Sequence, residues 1–257
     1  MTSMKLNMEK IPKLTLWNKW KRPASIPYPN TWHKFTAKSK DGKEFKIKIV
    51  DVTPDRFEES LEFIRDYLYS NEPLCESVKM LEDEISLQNE LARQNAFLQQ
   101  RITIMAVLDE DVPKPEMIAV QKLFVASKDD DPEPELTGNA MSKLEKIIED
   151  LYANQDQFEI HGTDAVLKGF GLCVKPNYWG MNIGYNIVLC LEKIAKAYDL
   201  RGCMTMYTSI YSQAIVTKAG FKVYNEIFYD DYKDEKGNAM FPNVHTKSIK
   251  LMGMKYS

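Results

Sequence analysis

The segment Leu172-Cys-Val-Lys-Pro-Asn-Tyr-Trp-Gly-Met-Asn-Ile-Gly184 combines residue types and spacing suited to chemistry. A strand-like apolar run leads into a turn of small residues, and the turn opens a helical pattern. That arrangement makes an anion site. The amides of a first helical turn have no acceptors of their own, and the helix dipole favours negative charge in front of them. Gly180 and Gly184 permit close backbone approach, and Asn182 stands where a left-handed backbone is expected, which Asn tolerates well. A tight strand-to-helix turn without a ligand has the same pattern, so the spacing alone leaves both readings open.

Other reactive types are scattered. The four cysteines, Cys75, Cys173, Cys190 and Cys203, form no CxxC and no metal spacing. They are expected to be reduced core residues of a cytoplasmic protein. An acyl-cysteine at Cys173 is conceivable chemistry, but a cysteine within a strand usually packs. His33, His161 and His245 have no ligand partners at useful spacing, so no metal site is expected.

The elements that must position this segment follow from hydrophobic period. Phe45, Ile47 and Ile49 alternate with polar residues after the turn signal Asp41-Gly42, which predicts a strand. Thr53-Pro54 predicts a helix start, and Phe57, Leu61, Ile64 and Leu68 predict a helix over 54–69. Asn71-Glu-Pro-Leu74 interrupts it, and a single polar helical stretch is expected over about 75–98. Strands are expected at 101–108 and 116–126, joined as a hairpin, then a mobile acidic loop at 127–138. Further on come a helix around 144–151, a strand at 165–175 and a helix with Ile183, Ile187, Leu191, Ile194 and Tyr198 on one face. A strand through Met204 and Met206, a short helix from Ser212 to Ala219 and two closing strands at 221–230 and 245–253 complete the series. This order predicts an α/β (α+β) domain with a central mixed sheet flanked by helices, spanning 32–257. Residues 1–31, with Trp17, Trp20 and a Lys/Arg cluster before three prolines, read as an irregular extension that wraps the surface and anchors through its tryptophans, or else as a membrane-surface or partner-binding arm.

Composition excludes several classes. The chain of 257 residues is 44% hydrophobic and 28% charged, with a formal charge of -3. A mildly acidic chain is poorly suited to nucleic acid. No apolar run reaches the roughly 18 residues of a membrane span. The sequence carries no signal for an oligomeric state.

Several motifs together resemble a known family. Val174-Lys-Pro-Asn-Tyr178, then Trp179-Gly-Met-Asn-Ile-Gly184, is similar to the acetyl-CoA loop of the GNAT N-acetyltransferases. Thr53-Pro-Asp-Arg-Phe-Glu-Glu59 with Asn71-Glu-Pro-Leu74 resembles the first helix and Asp-Glu-Pro-Leu turn of insect arylalkylamine N-acetyltransferases. Thr208-Ser-Ile-Tyr-Ser212 and Lys218-Ala-Gly-Phe221 resemble their Ser-Ser-x-Tyr-Ser and Lys-x-Gly-Phe elements. The closing strands, with Phe241 and His245, are similar as well. The resemblance spans about 32–255. The loop departs from the family's Arg/Gln-x-x-Gly-x-Gly/Ala pattern, with Trp179 in the first position and Asn182 in the fourth.

The resemblance implies the GNAT fold, with strands splayed at the acyl-CoA site. It implies acetyl transfer from acetyl-CoA, without a metal, to a small, arylalkyl, primary amine. Backbone groups of Cys173, Val174, Lys175, Trp179, Gly180, Met181, Asn182, Ile183 and Gly184, with Lys218, would hold the donor. The strand would pair with its pantetheine arm, and amides around Cys173 and Val174 would face the oxyanion. Glu72 would be the base. A protonated amine cannot attack a thioester, and a carboxylate set among apolar groups is suited to take its proton, directly or through water. Ser212 and Thr208 would assist the leaving thiolate, with Tyr211 a rival. Helix capping is the competing reading for these hydroxyls. Other acyl donors, a polyamine acceptor, and a paralogue that binds ligand without turnover stay open beside it.

Overall fold

A computed structural model describes residues 5–256. Strands β1 (Thr31–Lys38) and β2 (Glu44–Asp51) form the expected hairpin, with Gly42 in its turn at φ +89°. Ile47, Ile49 and Asp51 face inward on β2. Helix α1 (Phe57–Phe63) follows a 3-10 turn at Pro54–Arg56 and continues as a π-helical turn at Ile64–Leu68. Pro54 starts it as predicted, although the Thr53 side chain makes no capping bond.

The stretch expected as one helix over 75–98 is two helices, α2 (Pro73–Ser77) and α3 (Glu84–Leu98). Lys79 adopts a left-handed backbone (φ 58°), and Asp83 then caps α3 by accepting from the Ser86 amide at 3.1 Å. A second cap residue inside a polar helical pattern is what breaks it.

Strands β3 (Ile104–Leu108) and β4 (Met117–Ser127) form the expected hairpin. Helices α4 (Asn139–Tyr152) and α5 (Gln157–His161) precede β5 (Ala165–Val174). Helix α5 was not expected; Asp156 caps it through the amides of Phe158 and Glu159, and Gly162 ends it at φ 63°. Then come α6 (Ile183–Ala197), β6 (Gly202–Tyr207), α7 (Ile210–Lys218), β7 (Lys222–Phe228) and β8 (Ser248–Lys255). The sheet has eight strands in the order β1-β2-β3-β4-β5-β6-β8-β7. All neighbours are antiparallel except β5 and β6. Two apolar cores cover its two faces. Ile187, Leu191 and Ile194 of α6 build one, and Leu61, Leu91, Leu98, Ile147 and Leu151 of α1, α3 and α4 build the other.

The acidic loop, expected to be mobile, is pinned. Asp130 accepts from Asn18 Nδ2 at 2.6 Å and from the amides of Lys19 and Ser127 at 2.8 Å. Glu133 pairs with the buried Arg93 at 3.2 Å. Asp130, Asp131 and Glu133 are thus held by internal partners, while Asp129 and Glu135 face solvent. The N-terminal segment lies on the sheet layer. Trp17 packs on Phe97 at 5.2 Å and Trp20 meets the edge of Tyr198 at 5.3 Å. Arg22 and Asp51, both nearly sealed from solvent, pair at 2.8 Å.

Candidate active site

Strand β5 organises the site because its two edges differ. Against β4 its register runs from Ser127↔Ala165 to Ala119↔Val174. Against β6 it meets only at Leu167↔Cys203, and beyond that the two parallel strands splay apart. The splay expected from the resemblance is present.

A bulge marks the departure. The pair Gln121↔Leu172 is followed by Leu123↔Gly169, so β5 carries one extra residue. Gly171 takes φ +103°, and a Cβ there would stand 2.6 Å from Leu68 Cδ2. Only glycine satisfies both conditions. Gln121 Nε2 donates to Gly171 O and Gln94 Nε2 to Phe170 O, each at 3.3 Å, which fixes the distorted backbone. Thr205 Oγ1 donates to Gly169 O at 2.5 Å where β6 begins to diverge.

Alternation then decides which amides face the opening. The Lys175 amide donates to Ile118 O at 2.8 Å, toward β4. In an antiparallel pair, successive residues turn their amides to opposite sides. Cys173 therefore also faces β4, while Leu172 and Val174 face the gap. Of the two amides expected at an oxyanion, Val174 presents its own and Cys173 does not. The Cys173 side chain is buried, and burial pushes its thiol up to about 12, which disfavours a thiolate nucleophile.

The gap leads into the predicted turn. Pro176–Tyr178 forms a 3-10 turn, Gly180 has φ +78° and Asn182 sits left-handed at φ 57°, as its side-chain type suggested. Met181 and Ile183 bury their side chains and hold the turn down. Gly184 sits close to Ile215, Leu172 and Val174, so α6 starts tight against β5 and α7. Within α6 the first intrahelical bond is Asn186 N to Asn182 O at 3.1 Å. The amides of Ile183, Gly184 and Tyr185 thus point out of the helix end. Lys218 Nζ lies 4.3 Å from the centre of the Tyr185 ring, beside that first turn. Lys175 is committed to an ion pair with Glu116 and is not a free cation. Lys40 is a residue the sequence reading missed. Its Cε lies 3.8 Å from where a Gly180 Cβ would be. It belongs to the β1–β2 turn, and no local pattern connects it with residue 180.

Glu72 lies on the other side of the bulge, four residues past Leu68. It is the N-cap of α2, with Oε1 accepting from Leu74 N at 3.1 Å and Oε2 from Cys75 N at 2.6 Å. Tyr69 and Leu74 around it are buried and Leu68 is half-buried. Its charge and burial both push the Tyr229 phenol up, burial being the larger cause. Tyr229 in turn donates to Thr208 O at 3.2 Å. The buried Tyr229 phenol is thus held by the Thr208 carbonyl and feels the Glu72 charge, although the three lie far apart in sequence. Tyr229 was not singled out from sequence; it meets Phe241 edge-on, and Phe241 stacks on Tyr232.

The two hydroxyls separate. Ser212 Oγ is tied into a capping box with Ser209, donating to Ser209 O at 3.0 Å. Among the described residues the Thr208 hydroxyl has no hydrogen-bond partner, so of the two it is the one free to act. Tyr211 is 80% exposed and turned away from the core. No group of three or more His, Cys, Asp or Glu among the described residues could hold a metal. No described helix is long and apolar enough to cross a membrane.

The sequence matches no protein-family profile and no curated protein sequence. Solved structures do match. An arylalkylamine N-acetyltransferase 7 of the yellow fever mosquito Aedes aegypti, described as putative, superposes with a TM-score of 0.84 at 24% identity, over 92% of this chain and 99% of that one. Arylalkylamine N-acetyltransferase 2 of Aedes aegypti gives 0.73 at 19% identity, over 82% and 99%. A polyamine N-acetyltransferase of Drosophila melanogaster that forms N-acetylagmatine gives 0.65 at 15%, over 81% and 99%. The chain has the GNAT fold of these N-acetyltransferases.

Proposed function

We propose that this chain is an acyl-CoA-dependent N-acetyltransferase that acetylates a small primary amine. The observation that carries the reading is the opened edge of β5, followed across the turn at residues 175–182 by the unpaired amides at the start of α6. An acyl donor with an amide-bearing arm and a pyrophosphate needs those two surfaces in that order. The strand edge pairs with the arm, and the helix end takes the anion. The cations of Lys218 and Lys40 flank the same end and suit the donor's remaining charge.

The chain's groups then divide the work. Glu72 accepts the proton of the bound ammonium, directly or through one water, which frees the nitrogen lone pair. The amine nitrogen attacks the thioester carbon, and the amide of Val174 stabilises the oxygen as it becomes negative. The carbon–sulfur bond breaks, and the thiolate takes a hydrogen bond or proton from the Thr208 hydroxyl. The nitrogen gives up its second proton as the amide forms, and that proton replaces the one Thr208 passes to sulfur, so the products are the amide and the free thiol. The order requires both substrates bound together.

For the acceptor, the aromatic cluster of Tyr229, Phe241 and Tyr232 beside Glu72 supports an arylalkylamine. The fold neighbours acetylate arylalkylamines in some cases and agmatine in another, so a polyamine is the competing acceptor. A binding protein without turnover is the second reading, favoured by the indole of Trp179 standing on β5. Calorimetric titration with acetyl-CoA, followed by chromatography of product with an arylalkylamine and agmatine panel, tests all three. Micromolar binding with acetylated arylalkylamine is the expected result. Binding without product on any amine favours the binder. Absence of binding at millimolar acetyl-CoA sinks the donor assignment.

A further inference from the structure

Trp179 is 55% exposed, yet its indole is not free: Nε1–H donates to Val174 O at 2.6 Å. That carbonyl lies on the splayed edge of β5, which faces no strand. An extended, amide-bearing molecule entering the gap would add to β5 as a strand does, and the Val174 carbonyl is its outermost acceptor. The indole already fills that acceptor. One covering hydrogen bond is modest in water, because the carbonyl and the indole both regain partners when they separate. The ring also has a route out. Its backbone is extended (φ -66°, ψ 149°), the next residue is Gly180 at φ +78°, and more than half of its surface is open to solvent.

We propose that Trp179 is a donor-side gate: its indole must leave the Val174 carbonyl before an amide-bearing acyl carrier pairs along β5. The gate sets donor affinity and discriminates donors by how well their arm replaces the indole. This inference rests on the acetyltransferase reading above. It differs from a nucleotide-stacking role, in which the ring would strengthen donor binding.

The test is calorimetric titration of the full wild-type chain and Trp179→Phe with acetyl-CoA, with acetyl-pantetheine and with ADP. Phe keeps an aromatic ring and removes the N–H. The expected result is affinity about three- to tenfold tighter in the variant for acetyl-CoA and for acetyl-pantetheine, with ADP unchanged. Equal or weaker acetyl-CoA binding by the variant overturns the gate and leaves the acetyltransferase reading intact. No binding of acetyl-CoA by either protein overturns that reading, and the gate with it. Should the variant fail to fold, the wild-type indole N–H resonances decide. The Trp179 proton should lose protection from solvent exchange on saturation with acetyl-pantetheine, and an unchanged resonance overturns the gate.

Discussion

The two edges of β5 are made by the same ten residues and do opposite things. The β4 edge is a ladder that consumes amides along its length. The β6 edge closes at one pair and then leaves backbone groups without a strand to meet them. Unpaired backbone is normally a cost in a folded protein. Here it is concentrated at one gap, bounded by a bulge that glycine alone permits and by side-chain amides that hold it open. The closed edge supplies rigidity, and the open edge is the surface that the proposed function gives to the donor.

Four perturbations separate the edges, in descending order of effect. Glu72→Gln, beyond the open edge, should lower the transfer rate at least about 100-fold while acetyl-CoA affinity changes little. Stopped-flow or endpoint turnover beside calorimetry reads this, and turnover within twofold of wild type would remove Glu72 as the base. Gly171→Ala attacks the bulge between the edges. The left-handed backbone and the clash with Leu68 should cost about 2–3 kcal/mol in urea unfolding, with weakened donor binding. A variant as stable as wild type would show that the bulge relaxes freely.

The hydroxyl pair is the third. Thr208→Val should reduce the rate about tenfold with stability nearly unchanged, whereas Ser212→Ala should cost about 1 kcal/mol of stability through its cap and leave the rate close to wild type. The reverse pattern would exchange their roles. The last concerns the closed end. His161 is fully buried against Gly202 at the start of β6, neither ring nitrogen has a partner among the described residues, and burial with the Lys255 and Lys168 charges lowers its pKa to about 4. The unfolded chain, with an ordinary pKa near 6.5, holds the proton more readily. Stability is therefore complete above about pH 6.5 and falls as pH drops toward 4, by something on the order of 2 kcal/mol. His161→Phe should flatten that slope in thermal melts, and a parallel slope in both proteins would assign the acid sensitivity elsewhere.

The elements with strong period were readable from sequence. Ile183, Ile187, Leu191 and Ile194 lie buried on α6, and Asn182 takes the left-handed backbone its type invited. What period does not encode is contact across the chain. The carboxylates of 127–138 read as a solvated loop because Arg93 and Asn18, their partners, are remote in sequence. Lys40 escaped notice for the same reason. The bulge had a trace, since Gly169 and Gly171 fall inside one strand, and glycine within a strand often marks such a break. The Ser212 cap shows a subtler limit. A hydroxyl near a helix start fits capping and chemistry equally well until hydrogen bonds separate them.

The N-terminal segment carries a consequence for the order of assembly. Asn18 bonds Asp130, Trp17 packs on Phe97 and Trp20 on Tyr198, so residues 17–20 find their seats among residues far along the chain. Contacts of such sequence separation form late, because a long loop must close before they are gained. Residues 17–20 are therefore secured only after the sheet exists, and they act as a latch on a finished body and not as a seed for it.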